Sequence, residues 1–358
     1  MPKARPLKQS IKSHLDFANE DLRMARLLPI PAMLKEMQCD PCAVLASIDF
    51  DLTLFNEPDA RVPYAKAAQL LVACADASGV PHFGLLLGLR FDLSMFGALN
   101  PLMLNADTVD QALQQLIRHL HLNDKGATGF MHEINSDEVA LGYAVFQSET
   151  PGAMQVYSLA LATICEIMRI LCGPSWQPIK ISIAHDEPPE LGPYQQVFRA
   201  PLEFNAFRSE VVFANYWLKH RMQSGEPLKR ISIERLALQI EANDDQYFVL
   251  RVRRLIYELL MAGKVTSPLI CSRLNIHERV LRRSLHNEGT SIKDLISTAR
   301  HELARQLLSN THLSVAEIAQ ILGYSDVTAF SRAYRGWEGI PPDRWRRQDV
   351  HWLEVSRH

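Results

Sequence analysis

Residues able to do covalent or metal chemistry are present in the chain, but their spacings argue against it. Cys39-Asp-Pro-Cys42 is a lone CxxC. Such a pair could donate two thiolates to a metal or run a dithiol cycle, but a structural zinc takes four ligands and no second pair lies nearby. The other four cysteines, Cys74, Cys165, Cys172 and Cys271, are dispersed, unlike the dense framework of a small disulfide-stapled domain, so all six are read as reduced thiols. His185-Asp186-Glu187 lacks the spacing that sets two imidazoles on one helix face. His119 and His121 stand two apart in a helical stretch and are expected to point apart. Ala262-Gly263-Lys264-Val265-Thr266 imitates the end of a phosphate loop without the G-x-x-x-x-G-K-[ST] spacing. No catalytic residue or metal ligand is assigned, and no cofactor is expected.

A pattern does emerge among the arginines of two short amphipathic stretches. In residues 278–288, Glu278, Arg279, Arg282, Arg283 and His286 lie off the apolar stripe of Leu281 and Leu285. Arginine is the commonest reader of guanine, through paired bonds to O6 and N7, so Arg279 and Arg282 are the expected base readers. Arg283 is assigned to phosphate, which positions without specifying. In residues 326–337, Asp326, Thr328, Ser331 and Arg332 face away from Phe330, Tyr334 and Trp337, and Arg335 is a further phosphate candidate. Asp326 would repel a phosphate, so it should accept from a cytosine amine or brace an arginine. The three aromatics are expected in the core, since stacking on a single strand needs an exposed face. Arg344, Arg346 and Arg347 flank Trp345 and are set either to hold phosphates or to be solvated.

The elements around these residues have the grammar of a helix-turn-helix, stated twice. Residues 315–322 form a first helix with Ile318, Ala319 and Leu322 inward, opened by a Ser314-x-x-Glu317 capping box. Gly323 supplies the left-handed turn, Ser325 is the expected cap of the second helix, and Gly339 stops it before Pro341-Pro342. Upstream, residues 268–274 repeat the first helix with Cys271 as its small inward residue. Asn275 is the turn, His277 stands in the cap position and Gly289 is the stop. Cys271 to Ala319 and Asn275 to Gly323 are both steps of 48 residues. Between the copies, residues 291–308 read as one helix, roughly 27 Å long at about 1.5 Å per residue. Two recognition helices held at its ends could enter successive major grooves, about 34 Å apart.

The rest of the chain alternates. Helices are expected over residues 62–77, 108–121 and 155–171, a buried apolar segment over 83–89, a hairpin over 128–135 and 138–146, strands over 179–184 and 202–207, and a closing helix from 214 to 219. Composition supports two jobs. Residues 1–225 hold 18 Lys/Arg against 24 Asp/Glu, whereas residues 226–358 hold 20 against 16. A basic C-terminal part points mildly to a polyanion. The division expected is an α+β domain over residues 1–225, a linker over 226–244, and an all-α domain over 245–358. The last holds helix-turn-helix motifs at about 267–288 and 315–338, joined by the long helix. A short non-helical tail follows residue 347. No window approaches the roughly 18 uninterrupted apolar residues of a membrane helix. The basic start MPKARPLKQSIKSHLDF lacks the apolar core of a secretory signal, so a cytoplasmic location without membrane partners is expected.

Residues 245–347 resemble the DNA-binding domain of AraC-type (AraC/XylS) transcription regulators. LSVAEIAQILGYSDVTAFSRAYRGWEGIPPDRWR follows that family's S-I-A-E-I-A-x-x-L-G-F-S-x-x-x-x-F-x-R-A-F-x-x-W-x-G-x-x-P-x-x-Y/W-R pattern almost throughout. The upstream copy departs from it, with His277 for the usual Ser cap and Asn275 for the usual Gly, so its recognition helix is expected to fray more readily. Arg332 matches the family's near-constant arginine, which implies a backbone contact. PDARVPYAKAAQLLVACADASGVPHFGLLLGLR and LEFNAFRSEVVFANYWL resemble the N-terminal effector domain of an AraC subgroup that includes ornithine-responsive and quorum-linked regulators. The resemblance implies a small-molecule effector in the N-terminal domain, a homodimer, double-stranded promoter DNA as partner, and activation through RNA polymerase. His82, Tyr143, Arg169 and His185 are the polar groups among apolar neighbours to inspect for an effector, although taken singly each is expected to be a satisfied structural residue. The competing class is a DNA-repair or redox- or metal-sensing protein using cysteine chemistry. That reading needs a metal-binding Cys cluster, which Cys39 and Cys42 alone do not make.

Overall fold

The computed structural model describes residues 20–146, 152–222, 247–263 and 265–355. The whole of the expected linker, 226–244, lies outside them, as do the basic start and Lys264. The described chain divides into two compact units, one drawn from Glu20–Tyr247 and the other from Phe248 onward.

The first unit is α+β. Strand β1 (Asp21–Arg23) is followed by helices α1 (Ile30–Glu36) and α2 (Pro41–Ser47), then by β2 (Arg61–Pro63), which pairs antiparallel with β1. Next come α3 (Tyr64–Ser78), α4 (Phe83–Gly88), α5 (Leu99–Leu104) and α6 (Val109–His119). The hairpin β3 (Ala127–Glu133) and β4 (Glu138–Val145) precedes the long α7 (Ala153–Cys172). The unit closes with β5 (Lys180–Ser182), α8 (Gly192–Phe198), β6 (Leu202–Glu203) and β7 (Ser209–Ala214). Five strands pair in the order β3-β4-β7-β5-β6, antiparallel except for β5 with β6.

Several sequence expectations are corrected. The strand at residues 202–207 shrinks to two residues, and the closing helix is a 3-10 turn, Asn215–Lys219. Residues 30–36, 41–47, 99–104 and 192–198 are helical and residues 209–214 form a central strand, none of which periodicity had marked. These segments are short or buried on both faces, so their apolar residues carry no single period. His119 and His121 do not point apart. The chain tightens to a 3-10 turn at Leu120–Leu122, and the two buried rings lie 6.0 Å apart.

α7 anchors the unit. It is long and apolar enough to cross a membrane, with a mean hydropathy of 1.4, yet 83% of that window is buried inside the unit as a core helix. Its closest neighbour is α4, and glycine sets that distance. A Cβ on Gly84 would stand 2.2 Å from the Gln155 carbonyl oxygen, and one on Gly88 would stand 2.5 Å from the Ala162 Cβ. Gln155 locks the pair: its Oε1 accepts from Gly84 N–H at 2.7 Å and its Nε2 donates to the Pro81 carbonyl at 2.6 Å. At the far end of the unit the chain returns to the start of α6, where Val109 N–H donates to the His220 carbonyl and Met222 N–H to that of Asp107.

Among its described residues the second unit holds helices joined by turns: α9 (Tyr247–Met261), α10 (Ser267–Leu274), α11 (Glu278–Asn287), α12 (Ile292–Asn310), α13 (Val315–Ile321), α14 (Val327–Glu338) and α15 (Pro342–Val355). α15 corrects the expected tail, since the helix continues to Val355.

Candidate functional site

The two helix-turn-helix copies are α10–α11 and α13–α14. Each first helix is short and buries one face: Ile270, Cys271 and Leu274 in the upstream copy, Ile318, Ala319 and Leu322 in the downstream one. Both turns pass through a left-handed residue, Asn275 at φ 54° and Gly323 at φ 73°. Glycine adopts that conformation without cost and asparagine at little cost. The downstream first helix has the full capping box, with Ser314 Oγ accepting from Glu317 N–H at 3.2 Å and Glu317 Oε2 from Ser314 N–H at 2.7 Å. The upstream one is capped by Thr266, whose Oγ1 accepts from Leu269 N–H at 3.3 Å.

The copies differ where the second helix begins. His277 is the N-cap of α11 and makes no side-chain capping bond. In the downstream copy the cap is Asp326 and not Ser325. Asp326 Oδ1 accepts from Ala329 N–H at 2.7 Å, and Ser325 Oγ donates to Asp326 Oδ2 at 3.0 Å. The Ala329 amide, then the Ser325 hydroxyl, hold the Asp326 carboxyl below the usual carboxylate range. One extra residue therefore enters the downstream turn, and the register changes from 48 to 49 residues. In that register Leu281 matches Phe330 and Leu285 matches Tyr334, all four buried. Arg283 then matches Arg332, and His286 matches Arg335.

Arg279, Arg282, Arg283 and His286 all project into solvent from α11. Arg282 is paired along the helix with Glu278 at 2.8 Å, both side chains exposed. An exposed i,i+4 pair is worth only about 0.3–0.5 kcal/mol, so it does not withhold Arg282 from a stronger partner. On α14, Thr328, Arg332 and Arg335 are exposed and Ser331 is half-buried. Phe330 and Tyr334 lie in the core. Trp337 is only half-buried, its Nε1 donating to Ser297 Oγ at 3.1 Å.

Sequence reasoning did not find what seats α14. One face of α12 presents Ser297, Arg300, His301 and Arg305 to it. His301 Nε2 lies 2.6 Å from Glu338 Oε1, Arg305 Nη1 lies 3.4 Å from the same oxygen, and the Arg300 guanidinium lies 5.1 Å over the Tyr324 ring. The spacing 297, 300, 301 and 305 follows a helical stripe and was there to be read, but nothing in it named the partner. Arg346 is also corrected. It donates to the Leu308 carbonyl at 3.2 Å and the Leu313 carbonyl at 2.6 Å, closing the C-terminal end of α12. Of its neighbours, Arg344 is exposed and Arg347 pairs with Asp343 at 3.3 Å.

In the first unit, a cavity of about 20 Å³ lies between β1, α3 and α7, lined by Leu22, Arg26, Leu27, Tyr64, Ala67, Ala68, Leu71, Asp124, Tyr143, Val156, Leu159 and Ala160. Of the four expected effector residues it takes only Tyr143. His82 sits half-exposed at the start of α4. Arg169 bridges Glu166 and the Val197 carbonyl, the latter at 3.1 Å, and so ties α7 to α8. His185 packs 5.8 Å from the Phe204 ring, with Nδ1 2.7 Å from the Asp186 carbonyl. Burial lowers its pKa, which keeps the ring neutral. Arg26, Tyr64 and Asp124 were missed because they come from three separate segments with no shared spacing. Cys39 donates to the Ala77 carbonyl at 3.3 Å, Cys42 is exposed, and no group of three or more potential metal ligands occurs among the described residues.

Residues 39–222 match the family described as the arabinose-binding domain of AraC transcription regulators, N-terminal, and residues 270–348 match a helix-turn-helix domain family. The chain is 26% identical to the HTH-type transcriptional regulator VirS of Mycobacterium tuberculosis, over 91% of this chain and 96% of that one. It is 27% identical to the ornithine utilization regulator of Pseudomonas aeruginosa, over 94% and 99%. Among solved structures, the transcriptional regulator CdpR from Pseudomonas aeruginosa aligns over 86% of this chain and 96% of that one, with 20% identity and a TM-score of 0.42.

Proposed function

The chain belongs to the AraC family of transcription regulators, and from that premise we propose that it activates promoters in response to a small molecule bound in its first unit. The observation that carries the DNA half of this reading is the pair of basic, solvent-facing second helices. Each is stapled to a first helix through a left-handed turn, with Arg283 and Arg332 at matching places. In this reading Arg279 and Arg282 meet base edges, and Arg283, His286, Arg332 and Arg335 meet phosphates. Thr328 and Ser331 fit among the bases, and Asp326 serves as the cap that aims them. The regulator works in the cytoplasm as a homodimer that contacts RNA polymerase.

The test is a fluorescence-anisotropy titration of the full chain against duplexes taken from upstream of its own gene and of its neighbours. At least one should bind on the order of a thousandfold more tightly than random duplex at the same salt. Uniform binding to every duplex would sink the reading.

A further inference from the structure

Arg26 closes the turn after β1 and is buried, with 8% of its surface exposed. Its guanidinium lines the cavity and donates to Thr163 Oγ1 at a long 3.4 Å, and among the described residues no carboxylate contacts it. A buried cation of this kind calls for an anion. Beside it runs a chain of hydroxyls. Tyr143 donates to Asp124 Oδ2, while Asp124 Oδ1 accepts from Gly126 N–H at 2.9 Å. The Tyr143 proton is thereby committed, so Tyr64 must donate to Tyr143, at 3.0 Å. The chain then ends on the Tyr64 oxygen, an acceptor polarised by the carboxylate behind it. Burial first, and then the Asp124 charge, hold both phenols well above the usual tyrosine range, so these hydroxyls stay protonated. The remaining walls are apolar: Leu27, Ala67, Ala68, Leu71, Val156 and Leu159.

We propose that this cavity receives a small aliphatic α-amino acid, its carboxylate on Arg26, its ammonium on the Tyr64 oxygen, and its alkyl group between α3 and α7. The proposal rests on the reading that the first unit senses a small molecule. A zwitterion satisfies the cation and the acceptor at once and adds no net charge beside Asp124. A plain carboxylate would leave Tyr64 without a donor and add a second negative charge. A plain amine would leave Arg26 without its anion. The volume of about 20 Å³ holds about one water, so binding must part the side chains of α3 and α7. Entry of the ligand therefore changes the packing of the unit's central helix.

Calorimetric titration of the full chain tests this with glycine, L-alanine and L-valine, and with isovalerate and isobutylamine, which are valine without its ammonium and without its carboxylate. L-Valine or L-alanine should bind at least about tenfold more tightly than either truncated compound. Arg26→Met should lower that affinity about 100-fold, and Tyr64→Phe about tenfold with loss of the preference over isovalerate. Ala68→Leu keeps every polar group and fills the space, so it should abolish binding in a chain that still melts cooperatively, which guards against a misfolded Arg26 variant. Equal binding of isovalerate and valine, or valine binding untouched by Tyr64→Phe and Ala68→Leu, overturns the proposal. If other small molecules shift promoter affinity and the amino acids do not bind, the amino-acid assignment falls while small-molecule control survives. If valine binds through Arg26 and promoter affinity does not change, the site stands and control by it falls.

Discussion

Arg283 and Arg332 occupy the same place on the two recognition helices once the extra turn residue before Asp326 is counted. Arg279 has no basic counterpart, because Thr328 stands there. The first helix therefore presents more guanidinium groups to solvent than the second. Arg279→Ala should cost about 1–3 kcal/mol on the preferred duplex and relax discrimination at one base pair. Arg332→Ala should weaken binding to all sequences and reduce the slope of log affinity against log salt by about one. Titration of each variant against single-base-pair variants of the duplex, at three salt concentrations, separates the two effects. Wild-type affinity in both variants would show that these helices do not dock the DNA. The outward side of both helices was legible from the apolar stripe alone. The inward turn of Arg346 was not, because the carbonyls it closes, those of Leu308 and Leu313, belong to a distant segment.

At the scale of the element, the two recognition helices start differently. α14 is opened by Asp326, whose carboxylate takes up the Ala329 amide, whereas His277 makes no side-chain capping bond to α11. A Ser or Asp cap is worth about 1 kcal/mol over a residue that cannot cap. His277→Ser should raise the hydrogen-exchange protection of the first-turn amides of α11 by about fivefold, which corresponds to about 1 kcal/mol. Unchanged protection would mean that DNA or packing, and not the cap, limits this helix. The seat of α14 on α12 is the complementary feature. His301 and Arg305 meet on Glu338, the last residue of α14, so the C-terminal end of the second reader is held to the connecting helix as well as its start.

At the scale of the whole molecule, α12 spans 19 residues without a break, so the two motifs are joined by a rod about 28 Å long at about 1.5 Å per residue. A rod cannot lengthen. Inserting 10 base pairs between the two halves of one bound site restores the helical face but moves the second groove by about 34 Å. Binding of the full chain should then fall to the level of a half-site, as measured by titration, and 5 base pairs should do the same. If the 10-base-pair insertion is tolerated, the halves are read by separate chains and not by the two ends of one domain. The first unit has a different construction, a five-stranded sheet with α7 buried as its core helix.

The sequence by itself determined the helical C-terminal part closely. The repeat at 48 residues, the capping box at Ser314, the left-handed Asn275 and Gly323 and the stopping glycines are all local signals. Each acts within one turn of helix and needs no distant partner. Periodicity also placed α3, α6, α7 and the β3–β4 hairpin, where one face meets the core and the other does not. The tertiary structure alone decided the rest. It moved the downstream cap from Ser325 to Asp326, because the turn can hold one residue or two between the left-handed residue and the cap. It drew His119 and His121 together by tightening a helix end. It also brought Arg26, Tyr64, Asp124 and Tyr143 around one cavity. Such a cluster is built from single residues of four segments that meet only across space, so no spacing along the chain records it.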